Sequence, residues 1–368
     1  MSMNAVRWHG DQNGLSLKYE EIPKPVLQPG WVMVKNAWSG ICGSDLHEYL
    51  YGPKNGPLEP HPVTGETLPT GVGHEFSGTV AAVGAGVSDL EIGQKVVVFP
   101  SIMDHTCHYC HEEIFGLCKS RGFMGYSGYG GGMQEYVCVE RIAIHVVPDH
   151  VPLDIAALTE PLAVAWHGVK LSDPKPDDIA LVLGAGPIGI SVIMGLQAHG
   201  VKNIYVSEPS EHRAQRAITA GATKVFNPTK EDVVLSIQAV SDGFGAHIVF
   251  ECAGVQSALD AAFAGARGKA RVIELAKYPQ PVSIWPNTFN KKGLAYIQSN
   301  IYTRGEFQDV VDAIASGRIK SPGSMVTARI PLEDAIAAGF EELLKTKDKH
   351  CKILIQSDSK CAENSNGR

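Results

Sequence analysis

Apolar residues fall into two regimes along the chain. Up to about residue 150 they alternate with polar ones in short β-favouring runs, VMVKNAWS, FSGTVAAVGA, QKVVVFPS and MQEYVCV, set apart by Gly, Pro and Asp. This half predicts an all-β domain. From Ile179 the pattern becomes apolar strand, glycine turn, helix and second strand, in IALVLGAGPIGISVIMGLQAHGVKNIYVSE. HRAQRAITAGA and EDVVLSIQAV follow as helices, with KVFNP, AHIVFECAG, RVIELAK and LAYIQSNIY as strands. Strands alternating with helices predict a doubly wound parallel sheet, so the chain is α/β with a β-rich first part. LAYIQSNIY has the composition of a sheet edge able to pair across a dimer. EPLAVAWHGVK reads as the helix leading into this half, and SDPKPDD as a turn. Beyond it, Glu306 to Lys320 and Pro331 to Leu344 read as amphipathic helices, HCKILIQSD as a last strand and SKCAENSNGR as a frayed polar tail.

The turn at Gly184, Gly186 and Gly189 is G-x-G-x-x-G between a strand and a helix, and Glu208 closes the next strand 24 residues after the first glycine. In that context the motif is a dinucleotide fingerprint. The first glycine makes the turn, the second admits the pyrophosphate, and the third lets helix meet strand, with the helix N-terminus facing the phosphates. Glu208 is expected on the ribose hydroxyls, where its charge would repel a 2'-phosphate. That favours NAD over NADP. Pro187, Ile188, Arg213 and Cys252 complete the expected cofactor-binding residues, Cys252 as a small residue at a strand end with no base to make it a nucleophile.

Composition narrows the partners. The chain has 368 residues, 44% hydrophobic and 19% charged, enough for two domains with buried cores. A net charge of -7 with no basic run argues against nucleic acid and anionic membranes and for a small-molecule substrate. Met1 to Gly10 lacks the apolar core of a signal peptide, and the apolar run near Leu181 to Leu196 is too short to span a bilayer. A cytoplasmic location is expected. Eight cysteines in so long a chain predict thiols rather than a disulfide framework.

Three metal-capable side chains stand out: Cys42 in GICGSDLH, His74 in GHEFSG and Glu160 in TEP. Thiolate, imidazole and carboxylate make a reasonable zinc set, and three protein ligands leave a fourth position open for catalysis. A second cluster runs through Asp104, Cys107, Cys110 and Cys118, with His105, His108 and His111 as further donors close by.

GICGSDLH, GHEFSG, TEPLAVAWH and LVLGAGPIG together resemble the zinc-dependent medium-chain alcohol and polyol dehydrogenases, over all but roughly the last ten residues. SDLHEYLYGP, HPVTGETLP, GFMGYSGYGGGMQEY and VFECAGV look most like the butanediol dehydrogenase branch, next to the sorbitol dehydrogenases. The resemblance implies a GroES-like β-rich catalytic domain from residues 1–160 and 304–368, and an inserted Rossmann NAD-binding domain, 161–303, with zinc and NAD in the cleft between them. It also implies catalytic zinc on Cys42, His74 and Glu160, with Glu75 adjacent or exchanging as ligand. Ser44 and His47 match the positions that pass the alcohol proton outward. Asp104, Cys107, Cys110 and Cys118 match the four ligands of a structural zinc lobe, with Asp104 where many members have cysteine. The implied reaction interconverts a secondary alcohol, a vicinal diol or α-hydroxy ketone such as 2,3-butanediol or acetoin, and a ketone; the alternatives are a polyol such as sorbitol, a larger secondary alcohol of a specialised pathway, or, from another class, a catalytically silent scaffold that binds NAD and zinc. A homodimer or homotetramer is expected. The chain departs from its relatives at Lys292-Gly293 and Gln298-Ser299, and RVIELAKYPQ lacks the common glycine near the nicotinamide, so cofactor contact or subunit packing is expected to differ there.

Overall fold

The computed structural model describes residues 1–357, so the expected frayed tail lies outside the described residues. The chain forms two compact units. The first holds Met1–Glu160, Thr303–Val311 and the chain from Val326 on; the second holds Pro161–Tyr302 and Asp312–Met325. Asp312–Met325 thus goes with the nucleotide-type unit. The reason is local: Met325 is fully buried, its Sδ 3.8 Å from the Ser191 hydroxyl.

The first unit is mostly antiparallel sheet. It opens with a hairpin that the sequence reading passed over, Ser2–Asp11 against Gly14–Pro23, closed by the two residues between Asp11 and Gly14. A larger sheet is centred on Trp31–Gly40, which pairs with Glu75–Val83, with Tyr136–Glu140 and with the last strand, Lys352–Gln356. The far end of the chain therefore completes the sheet that its beginning starts. Along Trp31–Asn36 every second residue is buried, as the period-2 pattern requires, whereas Lys352–Ile355 is buried without a break. One cluster gathers Trp8, Tyr126, Met133, Phe340 and Ile353; a second gathers Val34, Phe76, Val96 and Val137.

Two expected helices differ in detail. Arg304–Ala315 starts at a capping box, in which the Thr303 amide donates to Glu306 and the Glu306 amide donates to the Thr303 hydroxyl, and is followed by Gly317 at φ 72°. It stops short of Lys320. The stretch from Pro331 to Leu344 is broken into a 3-10 turn Leu332–Asp334, a π turn Ala335–Phe340 and a helix Glu341–Thr346. The π turn brings Ala335, Gly339 and Phe340 together into the core, which plain α spacing would not do.

The second unit carries a six-stranded parallel sheet. From edge to edge it runs Lys224–Phe226, Asn203–Ser207, Ile179–Leu183, Ala246–Glu251, Ala266–Glu274 and Ala295–Gln298. In chain order that is 3-2-1-4-5-6, the doubly wound dinucleotide-binding arrangement. The inner strand Ile179–Leu183 is apolar throughout: Ala180, Leu181, Val182 and Leu183 are all buried, as expected of a strand covered on both faces. Among the described residues, no helix is long and apolar enough to cross a membrane.

Candidate active site

The first donor set begins where Trp31–Gly40 ends. Ile41 is buried, and Cys42 caps the helix Gly43–Tyr51. The cap is reinforced from within, because the Cys42 amide donates to Asp45 Oδ2 at 2.9 Å. His74 and Glu75 arrive from the adjacent strand, just after Gly73 at φ 90°, a left-handed turn that a side chain would strain. Cys42, His74 and Glu75 bring one ligand atom each to within 4.8 Å of one another.

Glu75 supplies the carboxylate of this set. Glu160 is buried in the first turn of Thr159–Ser172. Glu75 already has a cation: Lys352 Nζ donates to both of its oxygens at 2.7 Å, and to the Ile41 carbonyl at 3.1 Å. Both side chains are buried. Burial alone would lower the Lys352 pKa, but the charge of Glu75 outweighs it and raises it.

Around His74 the polar groups converge. Nδ1 lies 3.4 Å from Asp45 Oδ1, and Nε2 lies 3.4 Å from the Ser44 hydroxyl. Burial would lower the His74 pKa, yet the charge and hydrogen bond of Asp45, with the Cys42 thiol, raise it well above the ordinary value. Burial likewise opposes ionisation of Asp45, while the imidazole and the donors from Tyr126 and Cys42 lower its pKa overall. A buried pocket that draws a proton onto its imidazole is one that favours a cation. The residues fit a zinc ion. His47 stands one turn beyond Ser44 on the same helix, its ring 6.3 Å from that of Tyr51.

The second cluster is compact as well. Asp104, Cys107, Cys110 and Cys118 bring their donor atoms within 4.8 Å of one another, and all four side chains hang on a one-turn helix, His108–His111, and its flanking loops. Asp104 Oδ1 accepts the amides of Thr106 and Cys107, which hold its pKa well below the usual range. The three thiols are free rather than bridged. His105 and His108 turn instead to Glu140 and Glu112, at 2.8 and 3.2 Å. Neither joins the tetrad.

In the second unit Gly184 sits at φ 95°, and a Cβ on Gly189 would collide with the Gly184 carbonyl. Open space faces the Cα of Gly186, which caps the helix Pro187–Ala198 and leaves room for a ligand to approach the backbone. Pro187 is the first helical residue and Ile188 the second, where a missing amide costs nothing. Glu208 is buried after its strand; it accepts the Ala185 amide at 2.8 Å and the Ser210 amide at 2.9 Å. Arg213 lies in the first turn of Glu211–Ala220. Cys252 follows Ala246–Glu251, and burial, with the charges of Glu251 and Glu274, raises its thiol pKa well above the ordinary value, which suits a contact residue and not a nucleophile.

Glu251 and Glu274 end neighbouring strands, and the Tyr278 hydroxyl lies 2.9 and 2.8 Å from their carboxylates. Burial, and then the Glu251 charge, push Glu274 up to about 8. Where the sequence departs from its relatives, Lys292 donates to the carbonyls of Phe263, Ala264 and Ala266, and Gly293 takes a left-handed cap at φ 59°. The sequence reading missed Asp45, Tyr126 and Lys352. Only Asp45 had a local signal, the capping-box spacing from Cys42.

A β-rich unit with an open Cys-His-Glu set, a thiolate-rich lobe and a separate dinucleotide-binding sheet define a zinc-type dehydrogenase. The chain matches the family model of the alcohol dehydrogenase GroES-like domain over residues 28–149 and that of the zinc-binding dehydrogenase over 187–316. It is similar to the (R,R)-butanediol dehydrogenase of Bacillus subtilis, 38% identical across 96% of this chain and 99% of that protein. It is likewise similar to that of Neisseria gonorrhoeae, 35% identical across 96% and 99%. A crystal structure of 2R,3R-butanediol dehydrogenase from Bacillus subtilis superposes with a TM-score of 0.90 at 37% identity, covering 97% of this chain and all of that one. The chain belongs to the zinc-binding alcohol dehydrogenase family and is an oxidoreductase of that family.

Proposed function

We propose that the protein interconverts 2,3-butanediol and acetoin, with zinc held by Cys42, His74 and Glu75, and with NAD as the redox partner. The observation that carries this reading is the Ser44 hydroxyl beside the imidazole of the donor set, a proton acceptor next to a cation site. Zinc at these donors would polarise the substrate oxygen and make its hydroxyl more acidic, and NAD would take the hydride from the carbinol carbon. Ser44 accepts the hydroxyl proton, and His47 on the same helix face is the next group outward. Glu160 remains a candidate to exchange with Glu75. Gly184, Gly186 and Gly189 hold the pyrophosphate end of the cofactor, and Glu208 its ribose. The lobe of Asp104, Cys107, Cys110 and Cys118 takes the second, structural zinc. The choice of diol is supported by the full-length similarity to butanediol dehydrogenases; the departures at Lys292-Gly293 and Gln298-Ser299 keep sorbitol in the test panel.

NAD reduction is to be followed with (R,R)-butanediol, meso-butanediol, sorbitol and a simple secondary alcohol, with and without a zinc chelator. Chelator-sensitive turnover of the butanediols is expected, and Cys42→Ser should abolish it while the fold persists. Undiminished turnover by Cys42→Ser would sink the zinc assignment, and silence on the diols would sink the substrate. We also infer a homo-oligomer, supported by the open edge of the strand Ala295–Gln298. Light scattering that finds a monomer would refute it.

A further inference from the structure

The parallel sheet of the second unit buries two carboxylates that the reaction as described above leaves unused. Glu251 and Glu274 are register partners at the ends of neighbouring strands, 0% and 1% exposed. Facing them are Tyr278 from the loop after Glu274, Tyr296 from the edge strand, the Cys252 thiol and backbone amides. The Tyr278 hydroxyl lies 2.9 Å from Glu251 Oε2 and 2.8 Å from Glu274 Oε2, yet a phenol has one hydrogen to give. One of the two contacts therefore takes its hydrogen from a carboxyl. Glu251 is the better anion of the two, since its Oε1 accepts the amides of Ala253 and Gly254 at 2.9 and 3.0 Å, while Glu274 Oε1 accepts that of Ala276 at 2.9 Å. Glu274 thus keeps the proton and donates it to Tyr278, Tyr278 donates to Glu251, and Tyr296 donates to Glu274 Oε2 at 3.1 Å. Burial, with the Glu251 charge, holds that proton on Glu274 up to about pH 8.

We propose that Glu251 and Glu274 hold one shared proton that sets the preference of the cofactor site between oxidised and reduced nicotinamide. The proposal rests on the NAD site assigned above. In a sheet of order 3-2-1-4-5-6 the dinucleotide crosses the carboxyl ends of the strands where the order reverses. The glycine turn and Glu208 follow the first and second strands and take the pyrophosphate and the adenosine ribose. The nicotinamide half then falls to the fourth and fifth strands, which Glu251 and Glu274 end. The chain after Glu251 also meets the glycine turn, for a Cβ on Gly184 would lie 3.2 Å from the Ala253 Cα. Oxidised nicotinamide carries a positive ring charge that the reduced ring lacks. With the proton the pair has one negative charge and without it two, and the second favours the ring of NAD over that of NADH. Linkage makes the effect reciprocal: binding NAD drives the proton into solvent, and binding NADH leaves it in place.

The test titrates NAD and NADH separately into the zinc-loaded enzyme by calorimetry, in wild type and in Glu274→Gln, whose amide can still donate to Tyr278 but cannot ionise. At about pH 6.5, below the loss of the proton, the variant is expected to match wild type with both cofactors. At about pH 9.5 wild type should bind NAD roughly fivefold more tightly than the variant, with NADH within about twofold. Protons gained or lost at the metal set are common to both proteins and cancel. Equal weakening of both cofactors, or the same difference at both pH values, would make the pair a structural brace, and identical pH profiles would show that its proton does not act on the ring; each overturns the proposal. If Glu274→Gln fails to fold, Glu251→Gln decides. Relieved of the like charge, Glu274 then ionises at lower pH, so the rise in NAD affinity over NADH should move to lower pH than in wild type; an unmoved rise overturns the proposal. A wild type that binds NADP and NADPH but not NAD defeats the cofactor assignment, and the same contrast is then read on that pair, whose rings differ by the same charge.

Discussion

Lys352→Met removes the cation that neutralises Glu75 while keeping an unbranched apolar side chain in its place. In the native protein Nζ sits 2.7 Å from both Glu75 oxygens, and the two side chains are 2% and 0% exposed. Taking one partner from a buried ion pair strands the other, at a cost of about 3–5 kcal/mol. That full cost is expected in the zinc-free protein. In the zinc-loaded protein Glu75 has a second cation near it, so the loss should be smaller by about 2 kcal/mol or more. Linkage makes the two statements one: a variant destabilised less with zinc than without must bind zinc more tightly, here by about 30-fold. Urea unfolding of both forms gives the first quantity, and chelator competition gives the second. Any stabilisation by the zinc of the other cluster is common to wild type and variant and cancels. An equal loss in both forms, or a weaker zinc affinity in the variant, would refute the reasoning and remove Glu75 from the metal set.

Glu208→Ala should lower NAD affinity and shift the NAD to NADP preference at least tenfold toward NADP, since it deletes the repelling carboxylate and frees the Ala185 and Ser210 amides; isothermal titration with both cofactors reads this, and an unchanged ratio refutes it. Cys110→Ala should release the zinc of the Asp104 cluster and leave that of the Cys42 set, as metal analysis of the purified variant would show. Glu274 keeps in the fold, up to about pH 8, a proton that the unfolded chain sheds near the ordinary glutamate value of 4.5. Its stabilising contribution is therefore complete below pH 4.5 and fades as the pH rises through 8, by a few kcal/mol at most after screening. Glu274→Gln should flatten that decline in unfolding experiments, and parallel pH profiles would show that the pair does not hold the proton.

The legible parts of the site were those whose chemistry is local. Gly184, Gly186 and Gly189 announce a turn because each serves the backbone within six residues of the others, and the glycine turn in the structure meets Glu208 through the Ala185 amide. Asp104, Cys107, Cys110 and Cys118 could be grouped because a short loop keeps close spacing in sequence close in space. Cys42 and His74 could be paired only through the resemblance, because 32 residues separate them in the chain and two neighbouring strands bring them together. The choice between Glu75 and Glu160 stayed open for the same reason. No spacing rule reports which of two distant carboxylates a sheet register will turn toward a thiol.

Hydrophobic periodicity and the glycine turn, on their own, determined a β-rich part, a doubly wound part and a dinucleotide site, since strand, helix and turn preferences are set by neighbours in the chain. The break in Ala335–Phe340 needed the tertiary structure, because core packing chose it over helical spacing. So did the polar wiring of the metal set. Lys352 reaches Glu75 across 277 residues and Tyr126 reaches Asp45 across 81, contacts made by strand pairing and core stacking, and invisible to any window along the sequence. These long-range bonds hold Glu75 and Asp45 beside the thiol and the imidazole, because in a buried site every donor and acceptor must find a partner and only the fold decides which partners are near.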